Sequence, residues 1–246
     1  MNEMQAKSNN SERQVSKGLG LILLVAIVDL ALVGLVAFFP ILIGLLPRSV
    51  TANVGFSFFA KAFVLTIQYT LVIATVSSVL NTIGIVFCLA TPNEVRAGRF
   101  LMLMALSTAG DLICKIVMRF ASGYVMQIHP NVYVVFQFVP SILMFLFYFA
   151  FLKYLLCYAK FLACEPCKVA SAGGLRMLVF AMGVVAISFF GVLLFTSLQN
   201  NFAGLFVAFA IPAASFAALI FSVLAFLRGY RATYLLRKEL RRLSEQ

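Results

Sequence analysis

The sequence predicts an all-α membrane protein: a six-span helical bundle, built as three consecutive helical hairpins, with a C-terminal amphipathic cytoplasmic helix. Three observations carry this expectation. Hydrophobic residues make up 63% of the 246 and charged residues 11%, with a mean hydropathy of +1.05. That balance excludes a soluble globular domain. The apolar residues fall in long runs, each near the 20 or so needed to cross a bilayer. Finally, Lys and Arg gather in alternate connections, as the positive-inside tendency demands.

Residues 1–17 are polar (Asn2, Gln5, Ser8, Gln14) and are expected to form a disordered cytoplasmic tail. Span one, 18–46, is too long for a signal-peptide core and lacks a small-residue cleavage site, so it is expected to be retained. The connector from Pro47 to Lys61, rich in Phe, is expected to lie along the interface. Span two, 62–90, stops at Thr91-Pro92-Asn93, and span three covers 99–120. Span four, 132–152, follows Pro130 and contains Pro140. A polar connection from Lys153 to Gly174, part of which can continue span four as a helix, leads to span five, 175–198, and a Gln199-Asn200-Asn201 turn to span six, 202–227, with Pro212 inside it. Internal prolines are tolerated where neighbouring helices satisfy the freed carbonyls.

Orientation follows from the basic residues. With both termini inside, the cytoplasmic side holds Lys7, Arg13, Lys17, Arg96, Arg99, Lys153, Lys160, Lys168, Arg176 and six more from Arg228 to Arg242. Only Arg48, Lys61, Lys115 and Arg119 remain for the membrane and the outside. The net charge of +11 is thereby explained by membrane orientation, and nucleic acid is not expected as a partner. In the absence of Trp, the interfacial belt falls to Tyr124 and Tyr133 outside, and to Tyr154, Tyr158, Tyr230 and Tyr234 inside. A cell membrane is the expected location, with a bacterial inner membrane as the working assignment.

A faint repeat supports three hairpins. Leu89–Gly98 reads LATPNEVRAG, and Leu162–Gly173 reads LACEPCKVASAG. Equivalent glycines at Gly18, Gly98 and Gly173 mark the hairpin starts. Asp29 and Asp111 then lie at nearly the same depth.

Span three carries the most informative pattern. Asp111, Lys115 and Arg119 recur at four-residue steps and so share one helix face with Met104, Ser107, Thr108, Cys114 and Met118. The opposite face holds Met102, Leu106, Ala109, Ile113, Ile116 and Phe120, a surface suited to lipid. A charge near mid-bilayer costs about 2.5–3.5 kcal/mol on insertion scales and is normally paired toward the bundle. Asp29, Asp111, Lys115 and Arg119 are therefore candidates for either of two roles. One is a buried ion-pair lock between spans one and three, with Arg119 snorkelling outward. The other is an ion or proton pathway built on the two aspartates.

Cys164-Glu165-Pro166-Cys167 forms a C-x-x-C, with Cys157 and Cys88 as further thiols on the same predicted side. Zinc ligation or redox chemistry is chemically open to them. The expectation is nonetheless reduced, unmetallated thiols and no cofactor, because disulfides are rare in the cytoplasm. His129 stands alone, which argues against multi-His metal or haem sites. No G-x-S-x-G, P-loop or H-E-x-x-H occurs. At the C-terminal end, 228–246, Tyr234, Leu235, Leu236, Leu240 and Leu243 alternate with Arg231, Arg237, Lys238, Arg241 and Arg242. This predicts a helix attracted to anionic lipid at the inner leaflet. Gly173, Gly174, Gly183, Ser188 and Gly191 in span five predict close backbone packing.

The functional expectation is a non-enzymatic structural, accessory or scaffold subunit whose partners are lipid, other proteins or further copies of itself. The alternatives are a small transporter or channel using Asp29 and Asp111 and, less favoured, a membrane enzyme with a cytosolic cysteine site.

Overall fold

The structure is a computed structural model that describes residues 2–45, 56–128, 130–197 and 201–244, with side chains described for 10–31, 72–117, 139–140, 142–187 and 216–243. Six α-helices are described: α1 (Asn2–Leu45), α2 (Phe56–Cys88), α3 (Gly98–Ile128), α4 (Pro130–Phe161), α5 (Glu165–Ser197) and α6 (Asn201–Ser244). No strand occurs among the described residues. Five helices carry a described stretch long and apolar enough to cross a membrane; in α2 that stretch, Val72–Cys88, is shorter.

Helix ends follow local chemistry. After Cys88 the chain makes a 3₁₀ turn over Asn93–Val95, following Pro92, whose ring cannot continue a helix. Arg96, at φ 53°, then reverses the chain into α3. The α4–α5 link is tighter. Ala163 takes φ 52°, the Cys164 amide donates to the Ala159 carbonyl at 2.9 Å and the Ala163 amide to Lys160 at 3.2 Å. This is the Schellman termination, here with Ala in the left-handed position usually given to Gly. Cys164 is at once the residue that ends α4 and the one that starts α5, since the Lys168 amide donates to its carbonyl at 3.0 Å. Pro140 is accommodated inside α4.

The chain divides into two compact units, Met1–Ala90 with Leu101–Phe147, and Thr91–Phe100 with Tyr148–Gln246. In the first, α1 packs along α2 at a crossing of two glycines. A Cβ on Gly18 would lie 2.5 Å from the Gly84 carbonyl oxygen, and one on Gly84 would lie 2.8 Å from Ile22 Cγ1. Only glycine lets these backbones approach so closely. Val15, Leu19, Ile22 and Val25 are buried at this seam, and Ser11 Oγ donates to the Ala90 carbonyl. In the second unit α5 packs along α6. Gly174 lies against Leu152 and the Ala225 carbonyl. Tyr154 and Tyr158 are enclosed, with ring centroids 5.9 Å apart.

Large apolar side chains line the outside: Val76, Val79, Ile83 and Val86 on α2, and Ile187 and Phe216 on α5 and α6. Exposed apolar surface on that scale marks contact with lipid or protein rather than water. The helical-bundle membrane class is thus carried by length, composition and exposure together.

Several expectations are corrected. The residues expected to be a disordered tail are helical from Asn2 onward, since Glu, Met, Gln, Ala and Lys are good helix formers and Val15 and Ser16 are buried. The connector expected to reach Lys61 gives way to α2 at Phe56, while 46–55 lie outside the described residues. The connection from Lys153 to Gly174, part of which can by its sequence continue span four as a helix, is helical over more than that part: α4 runs to Phe161 and α5 begins at Glu165. Tyr154 and Tyr158, expected in a lipid-facing belt, are enclosed by protein instead. They are 0% and 1% exposed, and Tyr154 shares a 2.7 Å hydrogen bond with Thr91, whereas Tyr230 and Tyr234 are exposed. Gly183 has no neighbour within 4 Å of a built Cβ, so it makes no close packing. The side chains of Tyr124, Tyr133, His129, Ser188 and Pro212 fall outside the description, as does Gly191's packing.

Candidate functional site

The polar seam of the first unit is assembled from three helices. On α3 the two faces separate as the four-residue spacing implies. Met104, Ser107, Thr108 and Cys114 are buried, while Met102, Leu106, Ile113 and Ile116 are exposed. The hydroxyls of Ser107 and Thr108 are satisfied locally by the carbonyls four residues earlier, at 2.7 and 2.9 Å.

Lys115 and Asp111, one turn apart, form an ion pair with Nζ 2.6 Å from Oδ2, and both side chains are under one-fifth exposed. The pair reaches α2. Lys115 Nζ donates to Ser78 Oγ at 2.8 Å and to the Ala74 carbonyl at 3.2 Å. Ser78 Oγ lies 2.8 Å from Asp111 Oδ2 and 3.0 Å from the Ala74 carbonyl, either of which can accept its proton. An ammonium carries three donors. All three of Lys115 are used. Asp29 of α1 accepts a hydrogen bond from Ser77 and lies within electrostatic reach of Lys115 and Asp111. Adjacent serines on α2 therefore serve two neighbours, Ser77 facing Asp29 and Ser78 facing Asp111, each 4% exposed or less. One turn on, Asn81 Oδ1 is buried with no hydrogen-bond partner.

The expected lock between spans one and three is corrected in its wiring. Direct hydrogen bonds tie α3 to α2 and α1 to α2, because α2 supplies the two serines and the Ala74 carbonyl as partners. The sequence reading passed over Ser77 and Ser78; the signal was two consecutive hydroxyls inside an otherwise apolar run. The Arg119 side chain lies outside the description.

The cysteines are also corrected. Cys164 and Cys167 are joined as a disulfide, not held as reduced thiols. Their Cα atoms are 5.4 Å apart, a separation the first turn of α5 imposes and a disulfide accepts. Cys88 is a buried thiol outside any disulfide at the α1–α2 crossing, and Cys157 is a half-buried thiol on α4. Among the described residues, no three His, Cys, Asp or Glu side chains gather as a metal site.

The predicted C-terminal surface helix is the uninterrupted end of α6. Its stripe of Ala232, Thr233, Leu236 and Leu240 is buried at 1% exposure or less, so it packs against protein. Between this segment and the α4–α5 link lies an open groove of ≈ 940 Å³, lined by Cys164, Glu165, Tyr234, Arg237, Lys238 and Arg241 among others. Arg242 also faces it and stands 3.8 Å from Glu239, while Arg231 is exposed elsewhere on α6. Arg237 is half-buried; its Nε is enclosed without a hydrogen-bond partner, and Arg241 lies within electrostatic reach.

No family model, curated protein or solved structure matches the chain. The class of a multi-pass helical membrane protein therefore rests on its own residues.

Proposed function

We propose that this chain is a non-enzymatic integral membrane subunit, a scaffold or accessory protein of a cell membrane, in which the seam is a structural lock. The observation that carries this reading is the saturation of Lys115: Asp111, Ser78 and Ala74 take all its donors, so its charge is spent on holding Asp111 and α2. Six spans in three hairpins, with both termini cytoplasmic and the basic end of α6 near anionic lipid, complete the reading. The packing of α1 on α2, the approach of Leu143 to Gly110 and the packing of α5 on α6 support that pairing.

The test is removal of the charge pair. Asp111→Leu combined with Lys115→Leu removes both charges at once and is expected to retain thermal stability in detergent and any cellular phenotype. Wild-type proton flux in liposomes that disappears in well-folded Asp111→Asn would overturn the lock. Topology is tested separately in a cysteine-free background. Cysteines at Ser122 and Asn200 should react with an impermeant maleimide from outside, and those at Asn93 and Lys160 only after permeabilisation.

A second reading, a proton- or cation-coupled transporter, is favoured by Asp29 and Asn81. Asp29 has a hydroxyl partner and no cation within ion-pair distance among the described residues, and Asn81 carries an unmet acceptor one turn away. In that case Asp29→Asn abolishes flux at unchanged stability.

A further inference from the structure

We infer that Cys164 and Cys167 form a thiol–disulfide exchange site for an anionic low-molecular-weight thiol, with the basic groove of α6 as its binding surface and Cys164 as the sulfur attacked.

The two sulfurs are not equivalent. Cys167 is 1% exposed, enclosed in the first turn of α5, whereas Cys164 is part-exposed and lines the groove. An incoming thiolate therefore has a path to Cys164 alone, and Cys167 is placed to leave and later to return as the resolving thiol. The backbone does not depend on the bond. Cys164 is held by its amide to Ala159 and its carbonyl to the Lys168 amide, while Ser171 Oγ donates to the Cys167 carbonyl at 2.8 Å. Opening and closing the pair leaves these contacts in place. A bridge across three residues also restricts the unfolded chain little, so a structural staple is a weak account of it.

The groove supplies selectivity. Arg237, Lys238, Arg241 and Arg242 outnumber Glu165 and Glu239 around it, and the enclosed Nε of Arg237 has no internal partner. A site of ≈ 940 Å³ with surplus positive charge and an apolar wall of Leu162, Tyr234 and Leu235 accommodates a small carboxylate-bearing thiol.

The exchange balances as follows. The thiolate of a first small thiol attacks Cys164 Sγ, the Sγ–Sγ bond breaks, and Cys167 departs as a thiolate that takes up the proton the small thiol released. A second small thiol attacks the outer sulfur of the mixed disulfide, and Cys164 leaves and is protonated in turn. Two small thiols become one small disulfide, and the protein gains two electrons and two protons. The small disulfide drives the reverse reaction.

The test uses the full chain in detergent micelles, with glutathione as the anionic probe and cysteamine as the cationic one. In Cys167→Ser, where Cys164 is a lone thiol, oxidised glutathione should exchange with it to leave a mixed disulfide on Cys164 and release one reduced glutathione, read by peptide mass spectrometry. In Lys238→Gln/Arg241→Gln, two exposed positions, reduction of the pair by glutathione should slow about fivefold or more, while reduction by cysteamine should not slow. An adduct confined to other cysteines, equal slowing for both probes, or a pair that millimolar glutathione leaves oxidised in the folded chain would each overturn the inference. Should Cys167→Ser not fold, the charge-variant rates decide alone.

Discussion

The polar seam and the C-terminal groove both gather charge, and they do opposite things with it. In the seam, Lys115 is surrounded by three acceptors within 3.2 Å and its partner Asp111 is one turn away. Around the groove, exposed Lys238, Arg241 and Arg242 line open space, and Arg237 keeps a donor unmet. The difference follows from surroundings. A charge enclosed among apolar helices must be neutralised and hydrogen-bonded locally, since its desolvation costs several kcal/mol. A charge at a water-facing edge bears no such demand and is available to a ligand or a surface.

The contrast is broken most severely by Lys115→Met alone. It strands Asp111 in the seam and is expected to cost about 3–5 kcal/mol, read as a large fall in the detergent melting temperature. A loss near zero would place Asp111 in contact with water and dissolve the distinction. Ser78→Ala removes one acceptor of Lys115 and a partner of Asp111 while keeping both charges, and should cost about 1 kcal/mol. Ser77→Ala should cost a similar amount through Asp29, and a double variant exceeding the sum would show the serines coupled.

On the groove side the effects shrink or reverse. Ala163→Gly relieves a left-handed backbone position and should stabilise by up to about 1 kcal/mol, raising the melting temperature. Destabilisation there would mean the Ala163 methyl packs in a way its exposure does not indicate. Smallest of all is Glu165→Gln. Its 2.8 Å pair with Lys168 is exposed, and such pairs contribute about 0–1 kcal/mol, so the thermal shift should be near the limit of detection.

The amino-acid sequence determined the membrane class, the approximate helix positions and the two-faced character of α3. All depend on composition or on contacts a few residues apart, which helical periodicity encodes directly. Met102 and Leu106 facing outward while Met104 and Ser107 face inward is a consequence of 3.6 residues per turn. The Asp111–Lys115 pair was legible for the same reason, being four residues apart on one helix. Only the tertiary structure decided what lies across from that pair. Ser78 is 33 residues before Asp111, and no local period links them. It likewise decided that Tyr154 and Tyr158 are enclosed, and that Cys164 opens to a groove while Cys167, three residues on, does not. Aromatic and cysteine side chains suit both interfaces and interiors, so their position is set by whichever helix packs against them. The residue types named the possible chemistry, and the packing of α2 and α6 selected which partners each one meets.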